Sequence, residues 1–190
     1  MDPLAHHLAT MAYNNAWSNH RLLKACCALT PAEFAAKGTS FFPSIKATLN
    51  HILTVDWFYL EILERSRDGL PPHDNPGRFF EPEEPFDDCA LLSREQHATD
   101  RRLIAFCESV TDMDAVVLLP RRTGIERDRL HRILAHLFQH QIHHRGQAHA
   151  MLAGTPVRPP QLDEFLMPSE VHFRTDDLRA LGWSEATLFG

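Results

Sequence analysis

Leu130 to Leu152, LHRILAHLFQHQIHHRGQAHAML, is the stretch whose reading decides the fold. At about 100° of rotation per residue, Leu130, Ile133, Leu134, Leu137, Ala148, Met151 and Leu152 fall on one arc, the arc a helix buries against its neighbours. His140 and His144 lie inside that arc, His136 and His143 flank it, and His131 and His149 point to the far side. Imidazoles at i and i+4 stand one above the other on a helix, so a single metal ion can be reached by both. The plain alternative for a buried histidine is a hydrogen bond to a nearby oxygen. Two adjacent rings in an apolar stripe need two such partners or one shared cation.

Working outward, the chain supplies three more helices of similar length. Asp2 and Pro3 form an N-cap followed by proline at the first helical position, and Leu4, Leu8, Met11, Ala12, Ala16, Leu22 and Leu23 continue at helical spacing to a stop before Pro31. Ser44 caps a second helix from about residue 45 to 67, stopped by Gly69 and Pro71. Between Leu49 and Leu63 it is apolar on almost every side, the pattern of a central helix. Its polar interruptions, His51 and Asp56, are costly there unless each finds a partner. Asp87 or Asp88 caps a third helix to about Val110, with Leu91, Leu92, Leu103, Ile104 and Phe106 as its expected buried set. Residues 69–86, GLPPHDNPGRFFEPEEPF, are longer than an ordinary connection and either cross over the helices or act as a lid. Residues 115–126 read as a short hairpin. The expectation is an all-α protein: a four-helix bundle with a long crossover loop and a C-terminal extension. One domain spans 1–190, its core about 3–154 and its extension 155–190, where residues 177–181 form a short helix and Trp183 and Phe189 anchor the end.

Composition narrows the classes. A chain of 190 residues with net charge −6 and no basic cluster does not offer the grouped Lys and Arg a nucleic-acid surface requires. No run of about 18 uncharged apolar residues suits a bilayer, so neither nucleic acid nor membrane is an expected partner. The opening MDPLAHHLA lacks a basic n-region, and Cys26, Cys27, Cys89 and Cys107 form no CxxC pair. Reduced thiols in a cytoplasmic protein are therefore expected. The 13 histidines form no consecutive tract of the expression-tag kind and belong to the fold.

The motifs YNNAWSNHRLL in the first helix, FPSIKATLNHILTVDWFYLE in the second and HLFQHQIHHRGQ in the fourth, followed by AGTPVRPPQLDEFL, resemble the DinB/YfiT-like family of metalloenzymes over roughly residues 4–166. The tail beyond Phe165 departs from its shorter members. The resemblance implies a four-helix bundle whose chain order is not a simple up-down-up-down series. It also implies homodimers and a divalent metal held by His51 of the LNHIL motif with His140 and His144. The helical arc singles out the last two independently; His51 rests on the resemblance. His143 turns about 100° away from His144 and is a decoy, while His136 is the reserve ligand.

Three neutral imidazoles leave a coordination position open, the composition of a catalytic rather than a closed site, with zinc or nickel the expected metal. Asp56 is expected to orient a ligand imidazole or act as a base; the alternative is a salt bridge to Arg145. The first functional reading is a metal-dependent enzyme. It is either a transferase using a low-molecular-weight thiol, as the resemblance suggests, or a hydrolase, with a small molecule or thiol as partner and a pocket lined by Tyr13, Trp17 or Trp57. The second is a non-catalytic, stress-related dimer stabilised by its ion. The third is a helical interaction module that binds no metal.

Overall fold

Each long helix begins where the sequence supplies a cap. In the computed structural model, which describes residues 2–189, Asp2 accepts from the Leu4 amide at the start of α1 (Pro3–Cys26). Ser44 accepts from Ala47 N at the start of α3 (Ile45–Arg67), and Asp88 from Leu91 N at the start of α4 (Cys89–Ser109). Between α1 and α3 a single turn, α2 (Pro31–Phe34), is closed by a Thr30–Glu33 capping box and buries Phe34. The hairpin is longer than expected: β1 (Val116–Arg121) pairs antiparallel with β2 (Gly124–Arg129). Gly124 turns it at φ +132°, a conformation side chains resist, and it runs straight into α5 (Leu130–Leu152). The structure is thus mostly helical with one small sheet, which broadly fits the all-α expectation. Among the described residues no helix is long and apolar enough to cross a membrane.

The four long helices pack in a ring, α1 against α4 and α5, and α3 against α4 and α5. Side-chain pairs give their directions. Asn50 exchanges hydrogen bonds with the Phe86 backbone, Trp57 donates to Thr99, and Arg102 pairs with Glu64, so α3 and α4 run parallel. Cys27 bonded to Cys89 and Tyr13 bonded to Glu108 make α1 and α4 antiparallel. Rings of His51 beside His144 and Tyr59 beside His136 do the same for α3 and α5. Successive long helices therefore run up, down, down, up. The connection after α3 must travel back along its 23 residues, about 34 Å at 1.5 Å per residue, which accounts for its length. It carries a 3₁₀ turn at Pro76–Phe80.

Two apolar clusters fill the ring. One gathers Leu8, Trp17, Leu63, Leu103, Leu134 and Phe138; the other gathers Leu22, Leu49, Ile52, Leu92 and Leu152. Between them lies a buried polar belt of Asn15, Asn19, Asp56, Gln96, Asp100, Gln141 and Arg145. Leu91, expected in the core, is 44% exposed while Leu92 is fully buried, because the helix phase turns only one of the pair inward.

The tail packs on its own chain. The extension helix is longer than expected, α6 (Val171–Leu181), ended by Gly182 at φ +76° and followed by α7 (Glu185–Phe189). Leu178 is buried, Arg21 pairs with Asp177 at 3.1 Å, and the buried Arg174 guanidinium donates to Glu185 and to the Met167 carbonyl. Trp183 and Phe189 do reach the core, Trp183 edge-on to Tyr13 and Phe189 beside Phe165. The cysteine expectation is corrected: Cys27 and Cys89 form a disulfide across 62 residues, with Cα atoms 5.3 Å apart. Cys26 and Cys107 are free and buried, as expected of small apolar side chains. Sequence spacing gives no sign of the pair, because it is the antiparallel packing of α1 on α4 that brings the two together.

Candidate metal centre

Between them, α3 and α5 bring three imidazoles together. One nitrogen each of His51, His140 and His144 lies within 4.8 Å of the other two. His51 Nε2 is 3.0 Å from His140 Nε2, and the ring centroids are separated by 5.0, 4.7 and 4.4 Å. His140 and His144 reach this point because they are one turn apart on α5; His51 reaches it because α3 crosses α5 antiparallel at that height.

The electrostatics keep the rings neutral. Burial, reinforced by repulsion from His144, pushes the His51 pKa down to about 4. Burial and the neighbouring histidines push His140 down to about 3, and burial also lowers His144. Neutral imidazole is the form that ligates a metal. The donor set fits a divalent ion. Two nitrogens each about 2.0–2.1 Å from a tetrahedral zinc stand about 3.3 Å apart, close to the observed Nε2 pair. His144 Nδ1 donates to Gln147 Oε1 at 2.9 Å, so the Nε2 lone pair is left for the cluster. His140 Nδ1 is buried without a hydrogen-bond partner among the described residues.

Phe42, in the loop before α3, stacks on His51 at 4.3 Å between centroids and lies 5.5 Å from His144. A cavity of about 340 Å³ opens beside it, lined by Phe42, Pro43, Ala47, His51, Thr54, Phe80, Glu83 and Glu84. The crossover segment thus supplies part of the wall, since Phe80, Glu83 and Glu84 belong to it.

The other expected site residues lie elsewhere. Asp56 is fully enclosed in the polar belt, accepting from the side-chain amides of Gln96 and Gln141, and forms no hydrogen bond with the three histidines. Arg145 shares that belt but donates to Asn15, Asn19 and Gln141, so the direct salt bridge with Asp56 is not formed either. Tyr13 donates to Glu108, Trp57 to Thr99, and Trp17 packs on Phe165; none of them lines the cavity. His136 and His143 are exposed outside the cluster. Gln147 and Phe42 are not singled out as site residues in the sequence, although Gln147 closes the HLFQHQIHHRGQ motif and Phe42 opens the FPSIKATLN motif.

A mostly helical protein with a three-imidazole cluster between two of its long helices is the class that fold and site define. A family model described as DinB family matches residues 4–173, so the chain belongs to the DinB family. No match is found among curated proteins.

Proposed function

We propose that this protein is a divalent-metal-dependent enzyme on a four-helix bundle, with His51, His140 and His144 as ligands and Asp56 held by Gln96 and Gln141 in the polar belt. The observation that carries the proposal is the convergence of three neutral imidazole nitrogens within 4.8 Å, one of them on His51, which lines a 340 Å³ cavity. Three protein ligands suit a catalytic site, with room left for a further ligand. Zinc or nickel suits the nitrogen donors. When bound, such an ion supplies Lewis acidity, which makes a water molecule or a low-molecular-weight thiol nucleophilic at neutral pH. The reaction is either transfer of that thiol to an electrophile or hydrolysis of a small molecule, and the protein works as a homodimer.

The chain's own residues perform the positioning. Gln147 holds the His144 ring in one tautomer, Phe42 covers His51 and His144 from one side, and the cavity wall presents His51 directly to an incoming molecule. Untagged protein is expected to hold about one divalent ion per chain, and the His140→Ala/His144→Ala double variant none. A double variant that retains its ion rules out this ligand set. A screen of hydrolysable small molecules, and of electrophiles with thiols, then identifies the reaction.

A further inference from the structure

The cavity beside His51 has an uneven chemistry that the metal reading does not use. Its lining includes the apolar Phe42, Pro43, Ala47 and Phe80. The same lining includes two carboxylates, Glu83 and Glu84, from a segment, EPEEPFDD at residues 81–88, with five acids and no base. Lys46 pairs with Glu84 at 3.0 Å and Asp87 at 2.8 Å, and Glu83 forms no salt bridge among the described residues. Two phenyl rings and two carboxylates lining one cavity favour a positive group in two independent ways, through the ring quadrupoles and through direct charge.

We propose that this cavity selects a small organic cation, an amine or alkylammonium compound. Its apolar body lies on Phe42 and Phe80, and its charged nitrogen lies at the Glu83 and Glu84 rim. The inference builds on the metal-enzyme reading by naming the substrate class of the same site. Carboxylate-bearing molecules, including carboxylated thiols, are correspondingly disfavoured. The crossover segment is the selecting element, held in place at its far end by the paired hydrogen bonds of Asn50 with Phe86.

The test uses the full chain stripped of metal by chelation, so that no probe binds through an ion. Benzylamine and its neutral counterpart benzyl alcohol are titrated by NMR or calorimetry. The amine is expected to bind about fivefold tighter at low salt, with the difference shrinking at high ionic strength. In Glu83→Gln/Glu84→Gln the two probes are expected to bind alike, and Phe42→Ala weakens both. Equal binding in the unaltered protein, a preference that survives the double glutamine variant, or no binding of either probe overturns the proposal. Metal content measured on the same variants separates the two readings. The glutamine variant keeps its ion if the ligands are the three histidines, whereas loss of the ion in His140→Ala/His144→Ala leaves the amine preference intact.

Discussion

His144 Nδ1 donates to Gln147 Oε1 at 2.9 Å, one turn further along α5. The same Gln147 amide donates to the exposed His143 Nε2 at 2.8 Å, so one side chain links the inward ring to its outward neighbour. A ligand imidazole whose remote N–H is held in this way keeps its tautomer and its aim. Gln147→Ala is therefore expected to weaken metal binding about 10- to 100-fold without changing the stoichiometry, as measured by competition with a chromophoric chelator. Unchanged affinity would show that packing alone aims the ring.

The ligand set predicts a contrast between neighbours. His51→Ala, His140→Ala and His144→Ala are each expected to weaken binding more than Gln147→Ala does, whereas His136→Ala and His143→Ala leave it near the original value. Elemental analysis after gel filtration distinguishes the two groups. Loss of the ion in His143→Ala would mean that the exposed ring, and not its buried neighbour, is the donor.

Much of this architecture is legible in the amino acids. Asp2, Ser44 and Asp88 announce the three helix starts, the arc of α5 picks out His140 and His144, and only His51 needed the family likeness. The polar belt was harder to see. Gln141 and Arg145 look like surface residues by type, yet both are buried, because Asn15, Asn19, Asp56, Gln96 and Asp100 arrive from three other helices to satisfy them. Such partners are set by helix packing, which periodicity within one segment does not encode. The same holds for Asp56: its isolation in an apolar helix signals a partner, but the partners turn out to be amides.

That belt carries a pH signature. Burial, and then the charge of Asp100, raise the Asp56 pKa to about 7; burial raises Asp100 to about 6. An unfolded carboxyl titrates near about 4, so the folded state binds more protons between about 4 and about 7. Stability contributed by Asp56 is thus lost as pH rises through that window. The buried histidines act in the opposite sense, since His51 and His140 are pushed below their ordinary value and the unfolded state takes up the extra protons there. The difference between Asp56→Asn and the original chain isolates the carboxyl. In urea denaturation of metal-free protein, the variant is expected to gain relative stability from about pH 5 to about pH 7 and to level off above it. A difference that stays flat would place an ionised Asp56 in the fold throughout.

The disulfide gives the last expectation. Cys27 follows the end of α1 and Cys89 opens α4, 62 residues apart in sequence. Closing a loop of that length removes unfolded-state entropy equivalent to about 4 kcal/mol in the chain-entropy description. That loop contains all of α3 and the crossover segment, so the bond restrains His51 and the cavity wall together. The neighbouring thiol is a poor competitor for exchange: burial pushes the Cys26 pKa up to about 12, and Cys107 likewise, which leaves almost no thiolate to attack the bridge. Reduction, or Cys27→Ser/Cys89→Ser, is expected to lower the urea midpoint by an amount corresponding to about 2–4 kcal/mol, while Cys26→Ala leaves the bridge formed. Thiol titration of the denatured, unreduced protein should count two free cysteines; four would mean that the two sulfurs stay unlinked in solution and that α1 and α4 are held together by packing alone.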